Sequence, residues 1–186
     1  QKELSSNLIF IKSSENNGYA AGNNIGIKYV ESQEDAQFIW ILNNDTLIQE
    51  DTFKNLINCY KNLENENIAL LGSKILNEDL TIQSVGFTTK QYSQKEIEVL
   101  SNVEVEHISG CSVFFRVKKI KEIGYIPEEY FLYYEETDWM KSIKKKGFKN
   151  PMVCPVSSRA GYLAKRFMST GLSRTEMREL YSLVDK

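Results

Sequence analysis

The 186-residue chain has a single histidine, His107. That scarcity nearly excludes a histidine-rich metal site. Any Ser-His-Asp or Cys-His machinery would have to run through this one residue. The three cysteines, Cys59, Cys111 and Cys154, are odd in number and far apart. They form no metal-spacing motif and no disulfide framework, and a reducing, cytoplasmic setting fits them best. No apolar run approaches the roughly 18 to 20 residues of a membrane-spanning helix. A net charge of −2 gives no electrostatic case for nucleic acid as a partner. The first residues, Gln1-Lys-Glu-Leu-Ser-Ser6, are not a signal peptide and carry no Met, so a fragment is the expectation. What is left for acid–base or metal chemistry is carboxylate.

The composition, 41% apolar and 26% charged, is that of an ordinary globular protein, and one domain with a proper core is the default at this length. Phe38-Ile-Trp-Ile-Leu42 followed by Asn43-Asn-Asp-Thr46 reads as a buried central strand ending in turn formers. In an open α/β sheet, ligands bind just beyond the carboxyl ends of such strands, which delivers Asp45 to the place of chemistry. Asn and Asp are also good helix caps, so capping of the next helix stands equally open.

Asn7-Leu-Ile-Phe-Ile-Lys12 reads as another strand. Asn17-Gly-Tyr-Ala-Ala-Gly-Asn-Asn-Ile-Gly26 is a Gly-rich turn leading into a helix that ends near Glu34. Backbone N–H groups at a helix start favour anions, although such a loop is as readily a tight connection. Further helices are expected over 50–63, with Phe53, Leu56, Ile57 and Tyr60 inward, over 117–123 and over 135–146. Strands are expected over 68–76 with a bend at Gly72, over 103–110 with period-two alternation, over 111–116 and over 152–156. Residues 81–90 suggest an edge hairpin and 91–102 a surface loop. The domain ends at 156, and 157–186 form a helical extension. Its Arg159, Lys165, Arg166, Arg174 and Arg178 could contact acidic lipid at the inner face of the membrane, but a solvated surface helix is the plainer reading.

Three acids, Glu135, Glu136 and Asp138, open one helix. The helix dipole offsets their repulsion by only about 0.3–1 kcal/mol each. A metal, a substrate hydroxyl or solvent must do the rest. A partly desolvated Glu136 becomes a general base, whereas fully solvated acids are simple capping residues. The aromatic approach of Phe131, Tyr133 and Tyr134 resembles a sugar-binding cleft, with alternate residues of that wall in the core.

Six stretches occur in order: residues 17–26, Leu42-Asn-Asn-Asp-Thr46, Gly72-Ser-Lys-Ile-Leu76, Ile82-Gln-Ser-Val-Gly86, Gly110-Cys-Ser-Val-Phe-Phe-Arg116 and Tyr133-Tyr-Glu-Glu-Thr-Asp-Trp139. Together they resemble the family-2 inverting glycosyltransferases, especially the rhamnosyltransferase-like branch. The resemblance implies an α/β GT-A fold, a Rossmann-like mixed sheet flanked by helices, with the two N-terminal strands of the family missing. It also implies a nucleotide-sugar donor such as dTDP-rhamnose, a saccharide or lipid-linked acceptor, and a divalent cation, Mn2+ or Mg2+. By it, Asp45 is the metal ligand, and Asn17, Gly18, Gly22, Asn23, Asn24, Asn43, Asn44 and Asp45 line the donor side. Glu136 is the base, with Glu135 and Asp138 orienting it. Gly110, Cys111, Tyr133, Tyr134 and Trp139 lie on the acceptor side. Two departures from the pattern are Asn43 at the first metal-motif position and the lack of a His near Val156-Ser-Ser-Arg159. They keep open a non-catalytic sugar- or nucleotide-binding module and, more weakly, a pure scaffold.

Overall fold

The computed structural model describes residues 8–77, 79–88, 93, 95–96 and 102–159, with the backbone alone at 156–159. The expectations for the surface loop and the helical extension therefore fall largely outside the described residues, as do the basic residues beyond Arg159. Seven strands form one mixed sheet: β1 (Phe38–Leu42), β2 (Leu47–Ile48), β3 (Leu71–Leu76), β4 (Ile82–Ser84), β5 (Val103–Glu104), β6 (Ser112–Arg116) and β7 (Met152–Arg159). The main path runs β1-β6-β3-β7-β2, with β4 on β3 and β5 on β7. β3 and β7 run parallel; β6 is antiparallel to both β1 and β3. The helices are α1 (Gly18–Glu31), α2 (Thr52–Asn62), α3 (Ile120–Ile123) and α4 (Glu135–Lys145).

Side-chain alternation splits the core into two layers. Successive strand residues face opposite sides of a sheet. Ile39 and Ile41 of β1, with Val113 and Phe115 of β6, join Ala20 and Ile27 of α1 and Trp139, Met140 and Ile143 of α4 on one face. Phe114 of β6 meets Leu56, Cys59 and Tyr60 of α2 on the other, where Phe38 and Trp40 pack against the cluster. Phe38 stacks on Phe114 at 5.1 Å between ring centroids.

Several expectations are corrected. β1 is the end of the described sheet and alternates in burial rather than being fully buried, because Ile39 and Ile41 face the fully covered layer while Phe38 and Trp40 face the side that is only partly covered. The apolar run at 8–11 forms no strand; Leu8, Ile9, Phe10 and Ile11 are exposed, Phe10 at 88%. Apolarity favours strand only where a partner edge is supplied, and none of the described strands pairs with it. The pairing of β3 is in regular register at Gly72. A Cβ there would meet Ile108 Cγ2 at 2.9 Å, so Gly72 permits close approach. The irregularity lies at Ser73 and Lys74, which face Cys154 and Ser157 across β7. Pro155 and Val156 are the extra residues, in keeping with the confinement of strand proline to bulges and edges. The strand thus continues to Arg159, past the boundary set at 156.

Cys59 and Cys154 are joined in a disulfide across 95 residues of sequence. The spacing concealed this, because only the packing of α2 against β7 brings the two Cα atoms to 6.4 Å. With Cys59 and Cys154 paired, the cysteines no longer point to a reducing compartment. Among the described residues, no helix is long and apolar enough to cross a membrane.

Candidate active site

β1 and β6 end together. Leu42 faces Ser112 in the ladder, and the Asn43 N–H donates to the Cys111 carbonyl at 3.2 Å. This bond carries the chain out of β1 beside residues 109–111, and Asp45 follows two residues later. The Cys111 thiol is buried and unoxidised. Burial pushes its pKa up; the Ser109 hydroxyl, 3.2 Å away, opposes this, and the carboxylates of Asp45 and then Glu136 push it further up. Asp45 and Glu136, 91 positions apart (136 − 45), thus both act electrostatically on one thiol.

Glu135 and Glu136 start α4, after an unusual backbone. Tyr133 and Tyr134 have φ of 68° and 73°, a left-handed conformation that is an outlier for bulky residues. Such strain costs on the order of 1–3 kcal/mol per residue and clusters at functional sites. It turns the chain sharply enough for Glu135 to be buried at 2% exposure while Tyr134 stays exposed. Burial raises the Glu136 carboxyl above its ordinary 4.5, partly offset by its own backbone N–H. Glu136 Oε2 is buried without a hydrogen-bond partner among the described residues, as is Thr46 Oγ1 beside Asp45. A buried, unsatisfied carboxylate oxygen is costly. Asp138 lies half-buried in the same first turn.

The Gly- and Asn-rich segment is corrected more heavily. It is the first half of α1 rather than a loop. Two N–H donors at its start are engaged: Gly18 N bonds Asn16 Oδ1 at 3.1 Å and Tyr19 N bonds the Phe131 carbonyl at 3.1 Å. Gly18, at φ +90°, would place a Cβ 2.0 Å from Phe131 O; it is glycine for packing. Asn23 Nδ2 donates back to Tyr19 O at 2.8 Å. Asn24 is removed from the donor side. It is buried, its Nδ2 donates to Ile126 O and Glu128 Oε1 at 2.8 Å each, and its Oδ1 accepts from Ile126 N at 3.1 Å. Asn17 is exposed and, with Asn16, Ala21, Glu128, Glu129 and Phe131, lines a cavity of about 330 Å³. Gly22 faces open space.

Trp139 is also removed from the acceptor side. It is 2% exposed, its Nε1 donates to Gly124 O at 3.0 Å, and its ring meets Phe115 edge-on at 5.7 Å. Gly110 and Cys111 lie in the turn before β6, and Tyr133 and Tyr134 immediately precede α4. Asn43 is half-buried and Asn44 exposed at the end of β1. A residue absent from the reading is Tyr19, whose hydroxyl donates to the Gly110 carbonyl. Its neighbours Gly18 and Ala20 were the only signal of a crowded position. A second cavity of about 490 Å³, lined by Tyr60, Glu64, Arg116 and Lys118 among others, lies at the Phe38 and Arg116 end of the β1–β6 pair, opposite the candidate site.

Residues 1–124 match the family model described as Glycosyl transferase family 2. The match includes Asp45 and ends before Glu135. The chain is 25% identical over 138 residues to the low-salt glycan biosynthesis hexosyltransferase Agl10 of Haloferax volcanii, an alignment covering 70% of this chain and 44% of that protein. It thus spans under half the length of that curated relative. Among solved structures it resembles S. aureus TarS residues 1–349 (TM-score 0.52, 14% identity, 89% of this chain, 49% of that one). It also resembles A197 from STIV (TM-score 0.51, 13% identity, 75% and 65%). These likenesses show a shared fold, the mixed α/β architecture of the GT-A kind. With 124 of its 186 residues under the family model, the chain belongs to glycosyl transferase family 2.

Proposed function

We propose that the chain is the catalytic part of an inverting glycosyltransferase, which moves a hexose from a nucleotide diphosphate donor to a hydroxyl of a saccharide or lipid-linked acceptor. The observation that carries this reading is the Glu136 carboxylate: raised by burial, with an unpartnered Oε2, and acting with Asp45 on the Cys111 thiol. A general base must lie within hydrogen-bond reach of the proton it takes, with a pKa brought toward the working pH. In the reaction, Glu136 takes the acceptor hydroxyl proton as that oxygen bonds to the anomeric carbon. The bond from that carbon to the diphosphate breaks on the opposite side, and the diphosphate leaves with the electron pair. Glu135 and Asp138 orient the base. Gly110, Cys111, Tyr133 and Tyr134 flank the acceptor, while Asn17, Gly18, Gly22, Asn23, Asn43 and Asn44 flank the donor.

Asp45 would hold the divalent cation, Mn2+ or Mg2+. Such ions are commonly bound through one or two carboxylates plus substrate phosphates and water, and Asp45 meets the lower limit. Among the described residues, no three His, Cys, Asp or Glu side chains gather into a metal cage, so the ion would arrive with the donor. Bound there, it offsets the charge of the departing diphosphate. The family resemblance favours a deoxyhexose donor such as dTDP-rhamnose and a role in cell-surface polysaccharide assembly at the cytoplasmic face. The hexosyltransferase relative supports sugar transfer in general.

Transfer and donor hydrolysis should be assayed with dTDP-rhamnose and a panel of UDP-hexoses, with and without Mn2+. Glu136→Gln should lower turnover by about 10²–10⁴-fold with the folded circular dichroism spectrum retained; turnover at the wild-type rate would sink the assignment. The lone carboxylate beside Asn43 and Asn44 favours one second reading, a non-catalytic nucleotide-sugar-binding module. That reading expects nucleotide sugars to raise the melting temperature with no product formed.

A further inference from the structure

Tyr19 is tied at both ends to different parts of the candidate site. Its backbone N–H donates to the Phe131 carbonyl at 3.1 Å, in the segment that leads to Glu135 and Glu136. Its hydroxyl donates to the Gly110 carbonyl, in the turn that leads to Cys111 and β6. The residues on either side are cut down to make room. A Cβ on Gly18 would strike Phe131 O at 2.0 Å, and a Cβ on Gly110 would lie 3.1 Å from the Tyr19 hydroxyl oxygen.

The charged groups around the phenol are those of the candidate site. Burial comes first, and then Glu136, Cys111 and Glu135 all disfavour its ionisation. The phenol therefore stays neutral and keeps its hydrogen. That hydrogen is already given to the Gly110 carbonyl, so Tyr19 is not placed to exchange a proton with substrate. What remains is its rigid ring, a wall that reaches from the α1 backbone, itself tied to the Phe131 carbonyl, to the Gly110 carbonyl.

We propose that Tyr19 is a positioning residue for the Glu136 base, a strut that fixes the spacing between residues 110–111 and the Phe131 segment that leads into α4. The proposal deepens the transferase reading and rests on it for its kinetic consequence, but the strut itself can be read without substrate. Two variants separate the hydroxyl from the ring. Tyr19→Phe removes only the bond to Gly110, and Tyr19→Ala removes the wall as well.

The test follows the Glu136 side-chain carboxyl by carbon-13 NMR across a pH titration, assigned by loss of the signal in Glu136→Gln. The Glu136 midpoint should lie above the ordinary glutamate value in the wild type and stay near it in Tyr19→Phe. In Tyr19→Ala it should fall toward the ordinary glutamate value. In donor hydrolysis with dTDP-rhamnose and UDP-glucose as probes, Tyr19→Phe should lose about tenfold in kcat with KM unchanged. A wild-type midpoint in folded Tyr19→Ala, or a wild-type kcat in Tyr19→Phe, overturns the proposal. If Tyr19→Ala does not fold, the Tyr19→Phe kinetics decide. If the wild type turns over neither probe, the midpoints decide: a lowered midpoint then upholds the strut while the transferase reading fails.

Discussion

The starts of α1 and α4 treat their polar groups in opposite ways. At α1 the polar atoms are used up internally. Gly18 N and Tyr19 N have partners, and the Asn24 amide is spent on Ile126 and Glu128. At α4 the first turn carries three acids, and Glu136 Oε2 is left buried without a partner among the described residues. A satisfied polar group contributes to folding; an unsatisfied one costs folding free energy and is tolerated where it does something else. On the transferase reading the second start holds the reactive group, whereas the Asn24 amide at the first serves the scaffold.

The contrast can be broken or sharpened by substitution. The largest effect on stability is expected at Gly18→Ala, which combines φ +90° with a 2.0 Å clash on a backbone carbonyl. It should lower unfolding free energy by about 3 kcal/mol or more in urea denaturation; a loss under 1 kcal/mol would mean that the Phe131 segment gives way freely. Asn24→Ala should cost about 2 kcal/mol by the same measurement, since it strands the Ile126 N–H and C=O, while leaving the Glu136 titration unmoved. Movement of that titration would mean that the two starts are not separable.

Glu136→Gln should act the other way. The folded state holds the Glu136 proton more tightly than the unfolded chain, because burial raises its pKa. Wild-type stability is therefore favoured at low pH and falls as pH rises from the ordinary carboxylate value through the raised one. The glutamine variant lacks that decline, so its stability relative to wild type should grow across the window and then level off. Activity runs opposite in sign, rising over the same window as the base ionises. Equal slopes for the two proteins in pH-dependent melts would place Glu136 in solvent. The smallest change is Gly26→Ala, in the helical stretch of α1 where an added Cβ meets nothing within 4 Å. It should stabilise by about 0.5–1 kcal/mol; destabilisation would show that this part of the scaffold is tighter than its geometry.

The elements with long, regular patterns were legible. β1, β6, α2 and α4 fall where apolar spacing puts them, because burial on one face is written locally. The acids of α4 were legible as a cluster for the same reason. Where a side chain points was not. The indole of Trp139 and the amide of Asn24 belong to residue types common in binding sites, yet both are consumed by backbone groups far away in sequence. Gly and Asn in α1 suggested a turn because intrinsic propensity disfavours them in helices. Ala20 and Ile27, packed against the sheet, override that preference. Nothing in Tyr133-Tyr134 signals two left-handed residues, since only the demand to bury Glu135 creates them.

The bridge between Cys59 and Cys154 has one further consequence. It closes a covalent ring that contains Cys111 and Glu136, while Tyr19 and Asp45 sit on the arm that precedes it. A nick by a protease anywhere inside the ring would leave both fragments attached to one another. A nick between Asp45 and Cys59 would detach the arm from the ring with the bridge intact. The two halves of the candidate site therefore differ in how they are tethered: one is looped into a cyclic segment, and the other is joined to it by a single stretch of backbone.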